Sequence, residues 1–177
     1  MTPFSKPEIQ QALTEAFTRF SNYMVHLSDE HFVATATGKW NAGQHLEHLI
    51  KSIKPINRAL QLPRLVLRTM FGKSGRESKT YSHVVEIYTK ALAEGGVSTS
   101  EYLPKRITKD DKEKLLQSYQ KQLDLIKDNL ATVTEKELDS ILLPHPLLGK
   151  LTLREILFFT IYHTQHHLVS ANQNTGT

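Results

Sequence analysis

The sequence predicts an all-α fold, a four-helix bundle with a long middle connection, formed as a single domain over residues 1–177. Apolar residues recur every three or four positions in four long segments, which is the period of an amphipathic helix. Several segments begin with a polar residue followed three positions later by Glu or Gln, the pattern of a helix capping box. The sequence shows neither a clean alternating strand pattern nor an Asn-Gly hairpin signal. Its length also suits one domain.

The first predicted helix runs from Ser5 to Leu27. Ser5 and Glu8 have the S-x-x-E spacing of a capping box at its start. The apolar stripe that we expect to face the core consists of Ile9, Leu13, Ala16, Phe17, Phe20, Met24 and Leu27.

The second predicted helix begins after Asn41, a residue type that caps helix N-termini. Its buried stripe is predicted to contain Ala42, Leu46, Leu49, Ile50 and Ile53. Pro55 removes a backbone N–H donor, so we expect a kink or a break there. Because the apolar pattern resumes as far as Met70, the prediction is a long bent helix that ends near Gly72.

The middle third of the chain has weaker signals. Residues 72–107 contain several Gly, Ser and Thr residues and are predicted to form a long connection, with one short helix at 82–93. A third strong helix is predicted to begin at Thr108 and to bury apolar residues as far as Leu130.

The C-terminal part carries two further capping signals. Thr134 is predicted to cap a short turn of helix, and the segment 144–146 is predicted to be a loop. Thr152 and Glu155 then form another capping box, which begins the helix that carries a group of histidines.

The composition excludes some kinds of chemistry. The chain has no cysteine, so disulfides, thiolate metal ligands and a protein-borne thiol nucleophile are ruled out. The sequence lacks a secretory leader and any run of about 18 apolar residues, so we expect a soluble cytoplasmic protein without membrane contact. The net charge of +4 is concentrated between residues 51 and 112. Nucleic-acid binding is disfavoured because no basic run is interleaved with stacking aromatic residues.

Three histidines lie within five residues of the last helix. His163 and His167 are four positions apart and point the same way, whereas His166 is rotated by roughly 100°. A lone buried histidine is more often satisfied by hydrogen bonds. Two imidazoles facing one dry pocket compete for the same partners, so a shared cation becomes the favoured interpretation.

A third ligand is expected on a facing helix, and the second helix offers His45 and His48. Spacing alone does not choose between these two. His26 is interpreted as a helix-end histidine, His31 as a loop residue and His83 as part of the weakly structured middle third, each without a role in the site. Three nitrogen ligands would suit zinc, nickel or iron(II) and would leave coordination positions open for water or substrate.

Two motifs resemble the DinB superfamily of four-helix metalloproteins, which includes bacillithiol transferases and mycothiol-dependent maleylpyruvate isomerases. The first is Trp40-Asn-Ala-Gly-Gln-His-Leu-Glu-His48-Leu, and the second is His145-Pro-Leu-Leu-Gly-Lys-Leu-Thr followed by the His163-x-x-x-His167 helix. The resemblance implies a bundle, often a homodimer, with a metal held by His48, His163 and His167. It places His45 behind the ligands or in the pocket wall.

The leading functional hypothesis is a metal-dependent thiol S-transferase, in which the ion activates a low-molecular-weight thiol for transfer to an electrophilic small molecule. Alternatives are a metal-dependent hydrolase and a non-catalytic, stress-related metal-binding bundle. A closed structural site would need a fourth ligand, for which Glu47 or His45 is the candidate. His45 and His166 are the nearby titratable groups that could assist catalysis, since Glu47 lies on the flank opposite His48.

The basic part of the chain, between residues 51 and 112, offers a possible anion site for such a thiol. Arg58, Arg64 and Arg68 on the bent second helix could receive its carboxylates, although a solvated basic face is the favoured interpretation.

Overall fold

The computed structural model describes residues 4–35 and 38–174. These residues form two short 3-10 turns (Ser100–Tyr102 and Lys109–Asp111), the helices α1 (Lys6–His26), α2 (Asp29–Val33), α3 (Ala42–Leu60), α4 (Arg64–Phe71), α5 (Tyr81–Ala93), α6 (Lys112–Ala131), α7 (Glu135–Ser140) and α8 (Leu153–Asn174), and the strands β1 (Leu142–His145) and β2 (Gly149–Thr152).

The four long helices α1, α3, α6 and α8 form the bundle. Helix α1 packs against α6 and α8, and α3 packs against the same two helices, which gives a closed square of contacts. The predicted all-α four-helix bundle is thereby confirmed. Among the described residues, no helix combines the length and the apolar character needed to cross a bilayer.

The core consists of the apolar stripes that the sequence predicts. All but one member of the predicted α1 stripe are buried, and Leu27, at the helix end, is partly buried. Phe17 stacks on Tyr119 of α6 with a centroid distance of 4.7 Å, and Phe20 contacts the same ring. Aromatic pairs of this kind add about 0.5–1.5 kcal/mol to the burial of their area. The stripe therefore ties α1 to α6.

The predicted helix starts are found where the capping patterns lie. The Asn41 side chain accepts a hydrogen bond from Gln44 N at 2.8 Å, and Gln44 accepts one from Asn41 N at 3.0 Å. At the start of α8, Thr152 N donates to the buried carboxylate of Glu155 at 2.8 Å. Each pair satisfies backbone donors that a helix terminus leaves without an internal partner.

The second helix differs from the prediction. It continues through Pro55 to Leu60, the helix is interrupted before Pro63, and α4 then ends at Phe71, followed by Gly72 with a φ of 89°. Packing explains the difference. Asn57 is buried after Pro55 and donates two hydrogen bonds to Gln122 of α6, which hold the helix together. The residues before Pro63 are exposed, so no packing there offsets the loss of a helical hydrogen bond.

A β-hairpin lies where the sequence predicts a loop. Strands β1 and β2 pair antiparallel, from Leu142 opposite Thr152 to His145 opposite Gly149. The prediction was wrong because each strand has only four residues and the turn is not an Asn-Gly pair. Gly149 has a φ of 71°, a conformation that favours glycine at the end of this turn.

Residues 72–107, hereafter the middle segment, contain more regular secondary structure than the predicted long connection. Helix α5 is the short helix expected at 82–93, and it packs along α8, where Tyr88 meets Phe159 edge to face. The turn Ser100–Tyr102 packs on α3. The segment therefore covers one side of the bundle. Outside it, His31 lies in the short helix α2 and not in the predicted loop, because the Ser28 side chain caps this helix by accepting a hydrogen bond from His31 N.

A buried carboxylate joins this segment to the bundle. Glu155 is fully buried and accepts hydrogen bonds from Arg76 Nη2 at 2.8 Å, from Lys79 N at 2.7 Å and from Thr152 N at 2.8 Å. Burial alone would raise the pKa of Glu155, but these hydrogen bonds and the Arg76 and Lys79 charges hold it below its usual value. The ionised carboxylate thus stabilises the fold.

We predict that Glu155→Gln lowers the free energy of unfolding at pH 7 by about 1–3 kcal/mol, because buried donors lose a charged acceptor. A carboxylate with a lowered pKa contributes stability above its unfolded pKa of about 4.3, and this contribution is lost as the pH falls through the lower folded value. Urea denaturation should therefore show a smaller difference between variant and wild type at pH 3 than at pH 7.

The exposed Glu86 on α5 provides the matched control. Glu86→Gln should leave the unfolding curve nearly unchanged at both pH values. A Glu155→Gln variant with the same stability difference at both pH values would contradict the role of the ionised carboxylate.

Candidate metal centre

Three buried histidines from two facing helices meet inside the bundle. His48 comes from α3, and His163 and His167 come from successive turns of α8. His163 Nε2 lies 3.2 Å from His48 Nε2 and 3.0 Å from His167 Nε2. One nitrogen of each ring lies within 4.8 Å of the others. The structure thus brings together the three residues that the family resemblance implies as ligands, hereafter the His triad.

Local structure accounts for the two histidines of α8. Residues four apart lie one above the other on a helix, so both imidazoles point to α3. Thr160 and Thr164, on the same helix, bond back to the carbonyls of Ile156 and Thr160, which satisfies their buried hydroxyls inside α8. These two hydroxyls therefore do not donate hydrogen bonds to the imidazoles of the His triad.

His48 has a defined orientation and tautomer. Its Nδ1 lies 2.8 Å from the carbonyl oxygen of Tyr102, in the 3-10 turn of the middle segment. A carbonyl can only accept a hydrogen bond, so Nδ1 carries the proton and donates it. Nε2 of neutral His48 therefore presents its lone pair to the other two rings. Tyr102 is a site residue that sequence reasoning missed, because its backbone carries the contact and no side-chain pattern marks it.

His167 is held by the second histidine of α3. Its Nδ1 lies 2.8 Å from His45 Nδ1, so one of the two nitrogens donates to the other. When the proton is on His167, its Nε2 presents a lone pair to the His triad. His45 Nε2 is buried without a hydrogen-bond partner among the described residues. His45 thus contacts the triad through His167 and is not itself one of the three converging ligands.

The three converging nitrogens cannot satisfy one another. Both short contacts involve Nε2 of His163, which carries either one proton or one lone pair. No distribution of protons gives both contacts a full hydrogen bond. A single cation would satisfy all three, and nitrogens about 2.0–2.1 Å from a tetrahedral ion lie roughly 3.3–3.4 Å apart. The observed separations of 3.0 and 3.2 Å are close to that requirement.

The electrostatics of the site favour neutral imidazoles. Burial, followed by the nearby histidines, lowers the pKa of His163 and His167 well below the ordinary value. Burial also lowers the pKa of His48, against the hydrogen bond to Tyr102, and lowers that of His45 to about 4. The lone pairs that a metal needs are therefore available at neutral pH without loss of a proton.

The other candidate residues lie outside the His triad. Glu47 accepts a hydrogen bond from Lys105 N and pairs with Lys51, so its carboxylate is engaged elsewhere. His166 is half-buried, and its ring lies 6.3 Å from that of Tyr88 and 5.3 Å from that of His167. Burial lowers the pKa of His166. Within residues 4–35 and 38–174, no fourth His, Asp or Glu completes the group.

An open cleft of about 610 Å³, which includes space open to solvent, begins at His48 and His163. Its walls come from α3, the middle segment, the hairpin and α8. Mostly apolar and uncharged side chains line it: Ser52, Pro55, Ile56, Tyr88, Val97, Ser98, Thr99, Tyr102, Pro144, His145, Pro146, Leu147, Ile156 and Phe159. These described residues include no Asp, Glu, Lys or Arg, so the cleft suits an uncharged ligand.

The arginines considered above as a possible anion site are not part of this cleft. Arg58 and Arg68 are exposed, in agreement with the solvated face favoured above. Arg64 instead pairs with Glu137 at 3.3 Å and donates to the carbonyl of Leu60. None of these three arginines lines the cleft, and the solvated basic face remains the favoured interpretation.

One comparison with known proteins identifies the family of this chain. The curated proteins gave no match to this chain. The family description "DinB superfamily" matches residues 12–170, a span that includes the whole His triad and most of the bundle. The chain therefore belongs to the DinB superfamily.

Proposed function

We propose that His48, His163 and His167 bind one divalent metal ion, and that this ion serves an enzyme that transfers a small thiol to an electrophilic small molecule. The observation that carries the proposal is the convergence of three buried Nε2 atoms beside an open cleft. Zinc, nickel and iron(II) all accept imidazole ligands.

The ligand set favours a working site over a closed structural one. Structural zinc sites have four protein ligands, whereas catalytic sites have three and an open position. The His triad has three, and His48 and His163 also line the cleft. When bound there, a divalent cation would lower the pKa of a thiol or a water molecule in the open position.

The residues of the chain favour a thiol as the nucleophile. Metal-dependent hydrolases commonly use a carboxylate as the general base for water, and the described lining of the cleft has no Asp or Glu. The chain has no cysteine, so the thiol must come from a separate small molecule. The apolar walls would hold an uncharged electrophile and exclude water from it.

We predict near-stoichiometric metal in protein purified without an affinity tag or added ions, and loss of that metal in His48→Ala, His163→Ala and His167→Ala. Each change removes one of three ligands, and the remaining two imidazoles hold an ion weakly. Elemental analysis by plasma mass spectrometry measures the metal directly. The exposed His83 of α5 supplies the control, since His83→Ala should retain full metal content.

The same analysis tests the choice between the two histidines of α3. A His48→Ala variant that keeps its metal, together with a His45→Ala variant that loses it, would refute the assignment of His48. Stable variants are required for this comparison, so the melting temperature of each should be recorded.

We predict that His45→Ala still binds one metal ion at saturation but with about 10- to 100-fold lower affinity, because a ring that orients a ligand is lost. Competition with a chromogenic chelator gives the dissociation constant. His45→Gln, whose amide can approach the same position, should recover part of the affinity. An unchanged dissociation constant in His45→Ala would show that His45 does not orient His167.

We predict thiol-dependent turnover of an uncharged aromatic electrophile such as 1-chloro-2,4-dinitrobenzene by the metal-loaded protein. In this reaction the sulfur forms a bond to the ring carbon, the carbon–chlorine bond breaks, chloride leaves, and the thiol proton passes to solvent. Absorbance of the thioether product, measured with bacillithiol or glutathione, follows the rate. The three triad variants should show only the uncatalysed rate.

The alternatives give different results in the same assay. Metal-dependent cleavage of 4-nitrophenyl acetate without any thiol would identify a hydrolase. Full metal content with neither reaction would favour the non-catalytic metal-binding bundle and would contradict thiol transfer.

A further inference from the structure

His145 is a histidine of the cleft that the proposed metal site does not use. It lies at the end of β1, opposite Gly149, where the hairpin turns. Its ring packs edge to face on Phe159 of α8, with a centroid distance of 4.2 Å. The cleft is lined by His145 on the hairpin side and by His48 on the α3 side. A ligand in the cleft would therefore lie between His145 and the His triad.

The turn determines which nitrogen of His145 carries the proton. Leu147 N and Leu148 N each donate a hydrogen bond to His145 Nδ1 at 3.2 Å. A backbone N–H can only donate, so Nδ1 must be unprotonated. The single proton of neutral imidazole is then on Nε2. Burial lowers the pKa of His145 to about 4, so the ring is neutral at physiological pH.

The proton on Nε2 has no acceptor within the described chain. No hydrogen bond joins Nε2 to any described residue. Among the described residues, His145 Nε2 is not one of the fully buried side-chain atoms that lack a hydrogen-bond partner. It therefore retains contact with solvent-accessible space. His145 also lines the cleft, where a ligand would bind.

We propose that the Nε2–H group of His145 is a fixed hydrogen-bond donor to the substrate, and that the substrate is an uncharged electrophile with an acceptor such as a carbonyl or nitro oxygen. The proposal deepens the function proposed above and rests on it for the reaction. A donor held by two backbone amides needs little reorganisation to bind its acceptor. It would orient the electrophile towards the His triad and stabilise negative charge that develops on the acceptor oxygen during attack.

A purely structural role for His145 makes a different prediction. If His145 only stabilises the turn, its Nδ1 is the atom that matters, since both turn hydrogen bonds go to it. A side chain that supplies only this acceptor should then preserve ligand binding. Asparagine places its Oδ1 near the position of Nδ1 and has no group at the position of Nε2. His145→Asn therefore keeps the turn and removes the donor, whereas His145→Ala removes both.

The test compares wild type, His145→Asn and His145→Ala as metal-loaded full-length proteins. Binding of 1-chloro-2,4-dinitrobenzene without thiol can be followed by quenching of Trp40, the only tryptophan, whose ring centroid lies 5.0 Å from that of His48. We expect the dissociation constant to rise about 3- to 10-fold in both variants, since one hydrogen bond is lost. In His145→Asn, melting temperature and metal content should match those of wild type.

Two results would overturn the proposal. One is His145→Asn binding the probe as tightly as wild type, which would assign His145 to the turn alone. The other is a nitrogen-15 NMR spectrum of the imidazole with the proton on Nδ1. Neither readout needs turnover. Loss of probe affinity in His145→Asn without thiol transfer by wild type would therefore reject the proposed reaction and support the donor.

Discussion

The contact between α3 and α8 is the constraint on which the site depends. It places an imidazole of α3 against two imidazoles of α8 in the buried interior, where polar groups without partners are costly. Each ring has one nitrogen aimed at the centre, and the protons available cannot complete the contacts among them. A bound cation would satisfy all three nitrogens, whereas without one at least one of their short contacts lacks a full hydrogen bond. This asymmetry is the strongest physical reason to regard the His triad as functional.

The middle segment, which packs outside the four-helix bundle, also helps to position the His triad. Its 3-10 turn supplies the Tyr102 carbonyl that sets the tautomer of His48, and α5 supplies Tyr88 to the wall of the cleft. The buried carboxylate of Glu155 binds Arg76 and the backbone of Lys79, which anchors the beginning of the segment to α8. A stretch with weak sequence signals therefore orients a ligand and shapes the cleft.

The chemistry of the site follows from what surrounds the His triad. Burial keeps the imidazoles neutral, the described walls of the cleft carry no formal charge, and the hairpin presents one N–H donor from His145. Neutral nitrogen ligands leave the full positive charge of a bound cation to act on an incoming nucleophile. The uncharged walls and the His145 donor suit an uncharged electrophile with an acceptor group. These features together support group transfer onto a small apolar molecule.

The sequence by itself determined the features that depend on local periodicity. The amphipathic stripes, the capping boxes at Asn41 and Thr152, and the shared face of His163 and His167 all follow from 3.6 residues per turn. Residue spacing left His45 and His48 as alternatives, because the rotation of α3 relative to α8 depends on the packing of the whole bundle. The resemblance to the DinB superfamily pointed to His48, and the structure brings His48 into the triad.

Tertiary structure alone decided the remaining features. Buried contacts carry α3 through Pro55, whereas the exposed residues before Pro63 have no such support. The hairpin is too short for a period-two pattern to identify it. The hydrogen bonds to Tyr102 O and to His145 Nδ1 involve backbone atoms, which every residue possesses and no side-chain pattern distinguishes. Such contacts become visible only when distant segments of the chain meet.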